Sequence, residues 1–265
     1  MLISDAELAV AAAQAGAAVV RARYGTALAR FQKSAGDFAT AADIEAERAI
    51  LDVLRAARPD DAVTGEESGR VGAVGAQRMW LVDPLCGTLN YAVRTTLVAV
   101  NVALRAGSDV TVAASADPFA DEVFWTDGAR AYVRRDGADE ALAPSAGSHL
   151  VDVNLDTRDP SDPNFRAGRL IADPGFLGRF HPRVVSTTLA VAWVAAGRRA
   201  AYVTDGDLRD NVHFAAGLTL CRAAGCVLTG IQGEPLHTGA GGLVVAADQE
   251  THAALLALIG TAAPR

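Results

Sequence analysis

Apolar residues recur at helical spacing from Asp5 to about Arg23, behind a Ser4-Asp5-Ala6-Glu7 capping pattern, which predicts an alanine-rich amphipathic helix. A second helix is predicted from a cap near Thr40, with Ile44, Ala46, Ile50, Leu51 and Leu54 interleaved among Asp43, Glu47 and Arg48. Asp60 to Thr64 then leads into Gly65-Glu66-Glu67-Ser68-Gly69, a turn bearing two acids, and a glycine-rich loop delivers the chain to Trp80. There the pattern changes. Trp80 to Val82 is a short apolar strand, followed by Asp83, a turn at Pro84, and Cys86-Gly87-Thr88 ahead of a further predicted helix. Runs at Leu97 to Leu104, Val110 to Ala116, Glu122 to Trp125 and Ala131 to Arg134, separated by Gly-Ser, Asp-Pro and Asp-Gly turns, predict a largely antiparallel meander.

From Asp136 to Ser148 the chain is loop-like, and a soft boundary is placed there, giving lobes 1–145 and 146–265. The second lobe alternates predicted strands (Leu150 to Leu155, Ala200 to Thr204, Cys226 to Thr229, Gly242 to Ala246) with helices (Asn164 to Ala172, Ser186 to Ala196, Phe214 to Ala224). The fold class is therefore layered α/β, with an α+β first lobe and an α/β second.

Composition narrows the function. With 265 residues, 51% hydrophobic and 21% charged, the chain can bury a sizeable core. A net charge of −7 and arginines scattered among acids argue against a nucleic-acid surface. Leu189 to Ala196, the longest apolar run, is too short to span a bilayer, and Asp5 and Glu7 stand where a signal peptide would be basic. Three cysteines, Cys86, Cys221 and Cys226, without metal-knuckle spacing predict free thiols in a reducing cytoplasm. Lys33 is the only lysine, which leaves little scope for Schiff-base chemistry.

The candidate chemistry centres on Cys86. A thiol just ahead of a helix sits where free backbone N–H groups converge, a setting that favours negative charge on sulfur or on an oxyanion. Cys221 and Cys226 are assigned to the core, and His149, His181, His237 and His252 to the surface or loops.

Four spaced motifs resemble the inositol monophosphatase superfamily of metal-dependent phosphatases: Asp37 to Asp43 (DFATAAD), Gly65 to Ser68 (GEES), Asp83 to Asn90 (DPLCGTLN) and Val212 to Gly217 (VHFAAG). The resemblance implies an α-β-α-β-α sandwich. It also implies catalytic magnesium held by Glu66, Asp83, the Leu85 carbonyl and aspartates at positions 86 and 213, where this chain has a cysteine and a histidine. Both replacements fall on positions that touch one ion in the parent fold, so Cys86 and His213 are expected within a few ångströms of each other.

A thiol, an imidazole and Asp83 together make a nucleophile, base and orienting acid. The DPLCGT motif is similar to that of the phosphatase-like Dieckmann cyclases, and this resemblance implies release of tetramic acids or pyridones from polyketide–nonribosomal peptide assembly lines. In that reading Cys86 takes an acyl group from a peptidyl carrier protein, His213 deprotonates the β-ketoamide, and Asp83 fixes the imidazole. Gly87 and Thr88 N–H groups hold the oxyanion, at about 3 kcal/mol per donor. No cofactor or metal is needed, and Glu66, Asp43 and Asn90 are supporting residues behind the site. A second reading is a metal-dependent phosphomonoesterase with altered ligands, zinc suiting Cys86, His213 and Asp83 better than magnesium. A third is a non-catalytic scaffold. Oligomeric state is left open, a homodimer being what the resemblance offers.

Overall fold

The computed structural model describes residues 3–27, 29–34, 37–156, 165–209 and 211–261. They form two compact units, one of residues 1–141 with 187–189 and 212–220, the other of residues 142–186, 190–211 and 221–265. Sequence order puts a boundary at 145. Spatial clustering instead returns two later pieces, including the one that bears His213, to the first unit.

In the first unit α1 (Asp5–Arg23) starts where Ser4 accepts from the Glu7 amide. The strands β1 (Arg30–Ser34) and β2 (Asp37–Thr40) pair antiparallel, a hairpin that the apolar pattern does not announce. Next comes α2 (Ala41–Ala57), closed at its start by a capping box in which the Asp43 carboxylate accepts from the Thr40 amide. An eight-stranded sheet follows from β3 (Ala62–Gly65), β4 (Gly69–Val71) and β5 (Arg78–Cys86). After the one-turn helix α3 (Thr88–Ala92) it continues through β6 (Ala99–Ala106), β7 (Asp109–Asp117), β8 (Glu122–Thr126), β9 (Ala131–Arg135) and β10 (Ala138–Ala141). Its order is β10-β9-β8-β7-β6-β5-β3-β4, with β3 and β5 parallel and the rest antiparallel, as the meander predicts.

The period of two along these strands decides what each face meets. Trp80, Val82, Val100, Val102 and Leu104 pack with the buried faces of α1 and α2 into one core. Met79, Leu81, Ala103 and Ala113 point the other way and pack with Val212, Ala215 and Ala216. Asp83 shares the parity of Met79 and Leu81. It is thereby presented to the side where the chain returns with His213.

The second unit holds β11 (Leu150–Asn154), α4 (Arg166–Leu170), α5 (Pro174–Arg179), β12 (His181–Val184), most of α6 (Leu189–Ala195), β13 (Ala201–Thr204), the end of α7 (Val212–Ala224), β14 (Val227–Thr229), β15 (Leu243–Ala246) and α8 (Gln249–Thr261). Its sheet runs β12-β11-β13-β15-β14 over a core of Val151, Val153, Val203, Val244, Leu255 and Ile259. Three expectations are corrected here. His252 is a buried residue of α8, its Nε2 at 2.8 Å from Thr229 Oγ1, and not a surface histidine. Asp205, which the sequence places in a polar loop as a weaker candidate than Asp83 for orienting the imidazole, is buried and accepts from the Ala167 amide at 2.7 Å, starting α4 from outside it. Cys221 is core as expected, whereas Cys226 is only half-buried. Asp210 and Asn164 lie outside the described residues. Among the described residues no helix is long and apolar enough to cross a membrane.

Candidate active site

Asp83 lies on β5 opposite Asn101 of β6, which lies opposite Ser115 of β7. The three side chains stand on one face and bond in series: Ser115 Oγ donates to Asn101 Oδ1 (2.7 Å), and Asn101 Nδ2 donates to Thr188 Oγ1 (2.9 Å) and to Asp83 Oδ2 (3.3 Å). Asp83 Oδ1 accepts from the Leu85 amide, which turns the chain after Pro84. A shift of register between Asp83 and Cys86 then aims the thiol back toward the carboxylate.

His213, in the first turn of α7, places Nδ1 at 2.8 Å from Asp83 Oδ2 and 3.9 Å from Glu66 Oε2. The expected meeting therefore occurs: one ligand-type atom each from Asp83, Cys86 and His213 all lie within 4.8 Å of one another. The Thr188 amide donates to Cys86 Sγ at 3.3 Å, and the Thr187 hydroxyl donates to the Cys86 carbonyl.

Glu66 joins the cluster. Its Oε1 takes Lys33 Nζ at 2.9 Å, while its Oε2 is buried without a hydrogen-bond partner. Lys33 also bonds Glu67. The acidic turn is held from behind by buried Glu47, whose two oxygens accept the Glu67 and Ser68 amides at 2.8 Å each. Asp43 binds the Thr40 hydroxyl at the start of α2 and the Thr88 hydroxyl at 2.9 Å, joining α2 to α3. The Thr88 hydroxyl is thus engaged, and it also donates to the Leu85 carbonyl. Gly87 precedes it in the left-handed region (φ 106°), open to glycine and strained for other residues. Asn90 is not at the site; it donates to the Leu97 carbonyl and holds the loop after α3.

Burial opposes a charged imidazole, but the Asp83 carboxylate overrides it and holds His213 up at about 12. Burial would also raise Asp83, yet the neighbouring imidazolium keeps it low. Glu66 is pushed up to about 8 by burial and by the charge of Asp83. Burial, then Asp83, pushes the Cys86 thiol up as well. A nucleophilic cysteine needs the opposite shift.

Lys33, Glu47, Asn101 and the Thr187-Thr188 pair escaped the sequence reading. Asn101 alone left a signal, as an amide in the middle of the apolar run Val98 to Leu104. Thr187 and Thr188 were read into a helix that begins only at Leu189.

Residues 3–262 match the model of the inositol monophosphatase family. The inositol-1-monophosphatase of Caulobacter vibrioides is 32% identical over 239 residues, covering 85% of this chain and 88% of that protein. This chain belongs to the inositol monophosphatase family. The Nus factor SuhB of Escherichia coli is also 32% identical, with 85% of each chain covered. Among solved structures, the Bartonella henselae extragenic suppressor protein SuhB superposes with a TM-score of 0.83 over 96% of this chain and 97% of that one, at 24% identity. The inositol monophosphatase of Anabaena gives 0.78 at 25% identity, over 96% and 95%. The layered α/β fold implied by the motifs is the family's.

These relatives overturn the Dieckmann cyclase expectation, and with it the acyl-cysteine, the carrier-bound thioester and the tetramate or pyridone product: they are inositol monophosphatases and SuhB proteins. The Cys86–His213–Asp83 geometry was real, but proximity alone does not select acyl transfer. The same three atoms form a metal donor set, and the thiol beside Asp83 is pushed toward its neutral form. Magnesium does not fit this site as it fits the family motif. It demands hard oxygen donors in near-octahedral array, and here a thiol and an imidazole stand at two of the positions.

Proposed function

We propose that this chain is a phosphomonoester hydrolase, acting on a small polyol phosphate of the kind named for its relatives, inositol 1-phosphate. The observation that carries the reading is the cluster, in a chain of this family, of Asp83, Cys86 and His213 within 4.8 Å of one another, with Glu66 3.9 Å from His213.

The reaction adds water across a P–O bond: the new oxygen stays on phosphorus and the alcohol leaves with a proton. The phosphate dianion needs positive partners, and the imidazolium of His213, fixed by Asp83, is one. The backbone N–H groups of Gly87 and Thr88 form the cradle that an oxyanion hole would have been in acyl transfer. The Thr88 hydroxyl, tied to Asp43, fixes that loop in place. Glu66, once ionised, takes the proton of the attacking water; with its carboxyl pushed up to about 8, that form grows as pH rises toward 8. Asn101 and Ser115 keep Asp83 aimed at His213.

The test is phosphate release from a panel that includes inositol 1-phosphate, sugar phosphates and p-nitrophenyl phosphate, with the protein as purified, after chelation, and after addition of zinc, cobalt, manganese or magnesium. Release that Glu66→Gln lowers by about 100-fold or more supports the reading. Failure to release phosphate from every ester under every ion would overturn it.

A further inference from the structure

The disagreement between the magnesium motif and this donor set points to a different ion. We infer that Asp83, Cys86 and His213 form a three-ligand tetrahedral site for a borderline-soft divalent cation, zinc in the first place, whose fourth position is left open beside Glu66. The inference deepens the phosphatase reading and rests on it for the use of the ion, though not for its presence.

Three observations carry it. The first is the donor chemistry. Thiolate, imidazole and carboxylate are the zinc set, whereas a hard ion gains little from sulfur or nitrogen. The second is geometry. In a tetrahedral zinc site with bonds of about 2.0 Å to O or N and about 2.3 Å to S, ligand atoms lie roughly 3.3–3.6 Å apart. Here Asp83 Oδ2 and His213 Nδ1 are 2.8 Å apart and all three atoms fall within 4.8 Å, so side-chain shifts of about an ångström suffice. The third is the neighbourhood of the open position: Glu66 Oε2 lies 3.9 Å from His213 Nδ1, where it can take a proton from a metal-bound water.

The frame is already rigid. Asn101 and the Leu85 amide hold Asp83, the Thr188 amide supports the Cys86 sulfur, and Lys33 together with Glu47 fixes the turn that carries Glu66. Such outer contacts tune and orient metal ligands. Charges balance as well: a thiolate and the Asp83 carboxylate neutralise a dication while the imidazole binds neutral, so loading releases the protons of the thiol and of the imidazolium, and the ion would then replace the imidazolium as the positive partner of the phosphate.

The experiment loads the metal-free full-length protein with cobalt(II) as a spectroscopic stand-in for zinc. Expected are one equivalent of metal per chain by elemental analysis and a thiolate-to-cobalt charge-transfer band in the near ultraviolet that zinc displaces and magnesium does not. Cys86→Ser, checked for folding by circular dichroism, should abolish the band and weaken zinc on the order of 100-fold or more, while Cys226→Ser should leave both unchanged. Independently of any variant, zinc should protect Cys86 in the wild-type protein from alkylation. No charge-transfer band, or equal alkylation rates with and without zinc, overturns the inference in favour of a free thiol–imidazole pair. Zinc binding without phosphate release from any ester sustains the metal site and sinks the phosphatase reading. Phosphate release that survives chelation, or needs magnesium alone, does the reverse.

Discussion

Glu47 has no part in the four family motifs, yet the acidic turn depends on it. Its buried carboxylate accepts the Glu67 and Ser68 amides at 2.8 Å each, and a Cβ built on Gly65 would meet it at 2.5–2.8 Å. Glu47→Ala strips the part-buried Glu67 and Ser68 N–H groups of a charged acceptor. Each such bond is worth roughly 1.5–3 kcal/mol, and some water will enter the space, so a loss of about 3 kcal/mol is expected. Gly65→Ala alone should cost about 1–3 kcal/mol, because the methyl must displace a carboxylate held on both oxygens. Gly65 lies outside the left-handed region, so its backbone suits alanine once the carboxylate has gone. In the Glu47→Ala background, then, Gly65→Ala should cost under about 0.5 kcal/mol or even stabilise slightly through the unfolded chain. The double-mutant cycle should therefore show a coupling of about 1–3 kcal/mol, the double variant being more stable than the sum of the singles. Urea unfolding followed by tryptophan fluorescence measures it, Trp80 being buried in the same sheet. Additivity within about 0.5 kcal/mol would refute the close approach of Gly65 to Glu47. A Glu47→Ala loss under about 1 kcal/mol would refute the buried acceptor itself.

Arg134 binds Glu7 and Asp139 through four contacts of 2.8 Å and stacks over Trp125 at 5.3 Å. Hydrogen bonding to the guanidinium holds both carboxyls below their ordinary values, so their stabilisation is present above about pH 4 and is lost as pH falls through the lowered values. Arg134→Met should thus cost about 1 kcal/mol at pH 7, discounted for the exposure of Glu7, and less below pH 4; a gap that widens with acid in thermal unfolding would contradict this. Restoring oxygen donors by Cys86→Asp with His213→Asp should lower stability without metal, since carboxylates then crowd Asp83. Magnesium at about 100 times its dissociation constant should return about 2.7 kcal/mol, read as a rise in Tm that the wild-type protein does not show.

How much of this was legible in the sequence depends on the range of the interaction that writes it. The α1 and α2 caps, the apolar faces and the strands β6 to β9 follow from neighbours a few residues apart, and they appear where the pattern puts them. The hairpin of β1 and β2 and the short strands β4, β10 and β12 do not, because strands of three to five residues with exposed or mixed faces carry too little periodicity. At the site, Asp83, Cys86, His213 and Glu66 were found through motifs, whereas Glu47, Lys33 and Thr188 act through contacts across 20, 33 and 102 residues respectively. Nothing local marks such residues. Glu47 lies within an amphipathic helix among charged neighbours, and only the meeting of α2 with the turn after β3 turns it from a surface acid into a buried one.

The misread function has a physical root in the same geometry. A thiol, an imidazole and a carboxylate in mutual reach satisfy two chemistries that share a donor list: covalent catalysis, in which the imidazolium must stabilise the thiolate, and metal ligation, in which a metal cation supplies the stabilisation. The surroundings separate the two. A nucleophilic cysteine is kept as thiolate by positive neighbours or a helix start, yet the group closest to Cys86 in effect is the Asp83 carboxylate, which together with burial drives the sulfur toward its protonated form. The His213 imidazolium, bonded to Asp83 through Nδ1 at 2.8 Å and hydrogen-bonded to the thiol as well, offsets this only in part. An arriving dication inverts the balance, because the carboxylate that disfavours a bare thiolate becomes its fellow ligand.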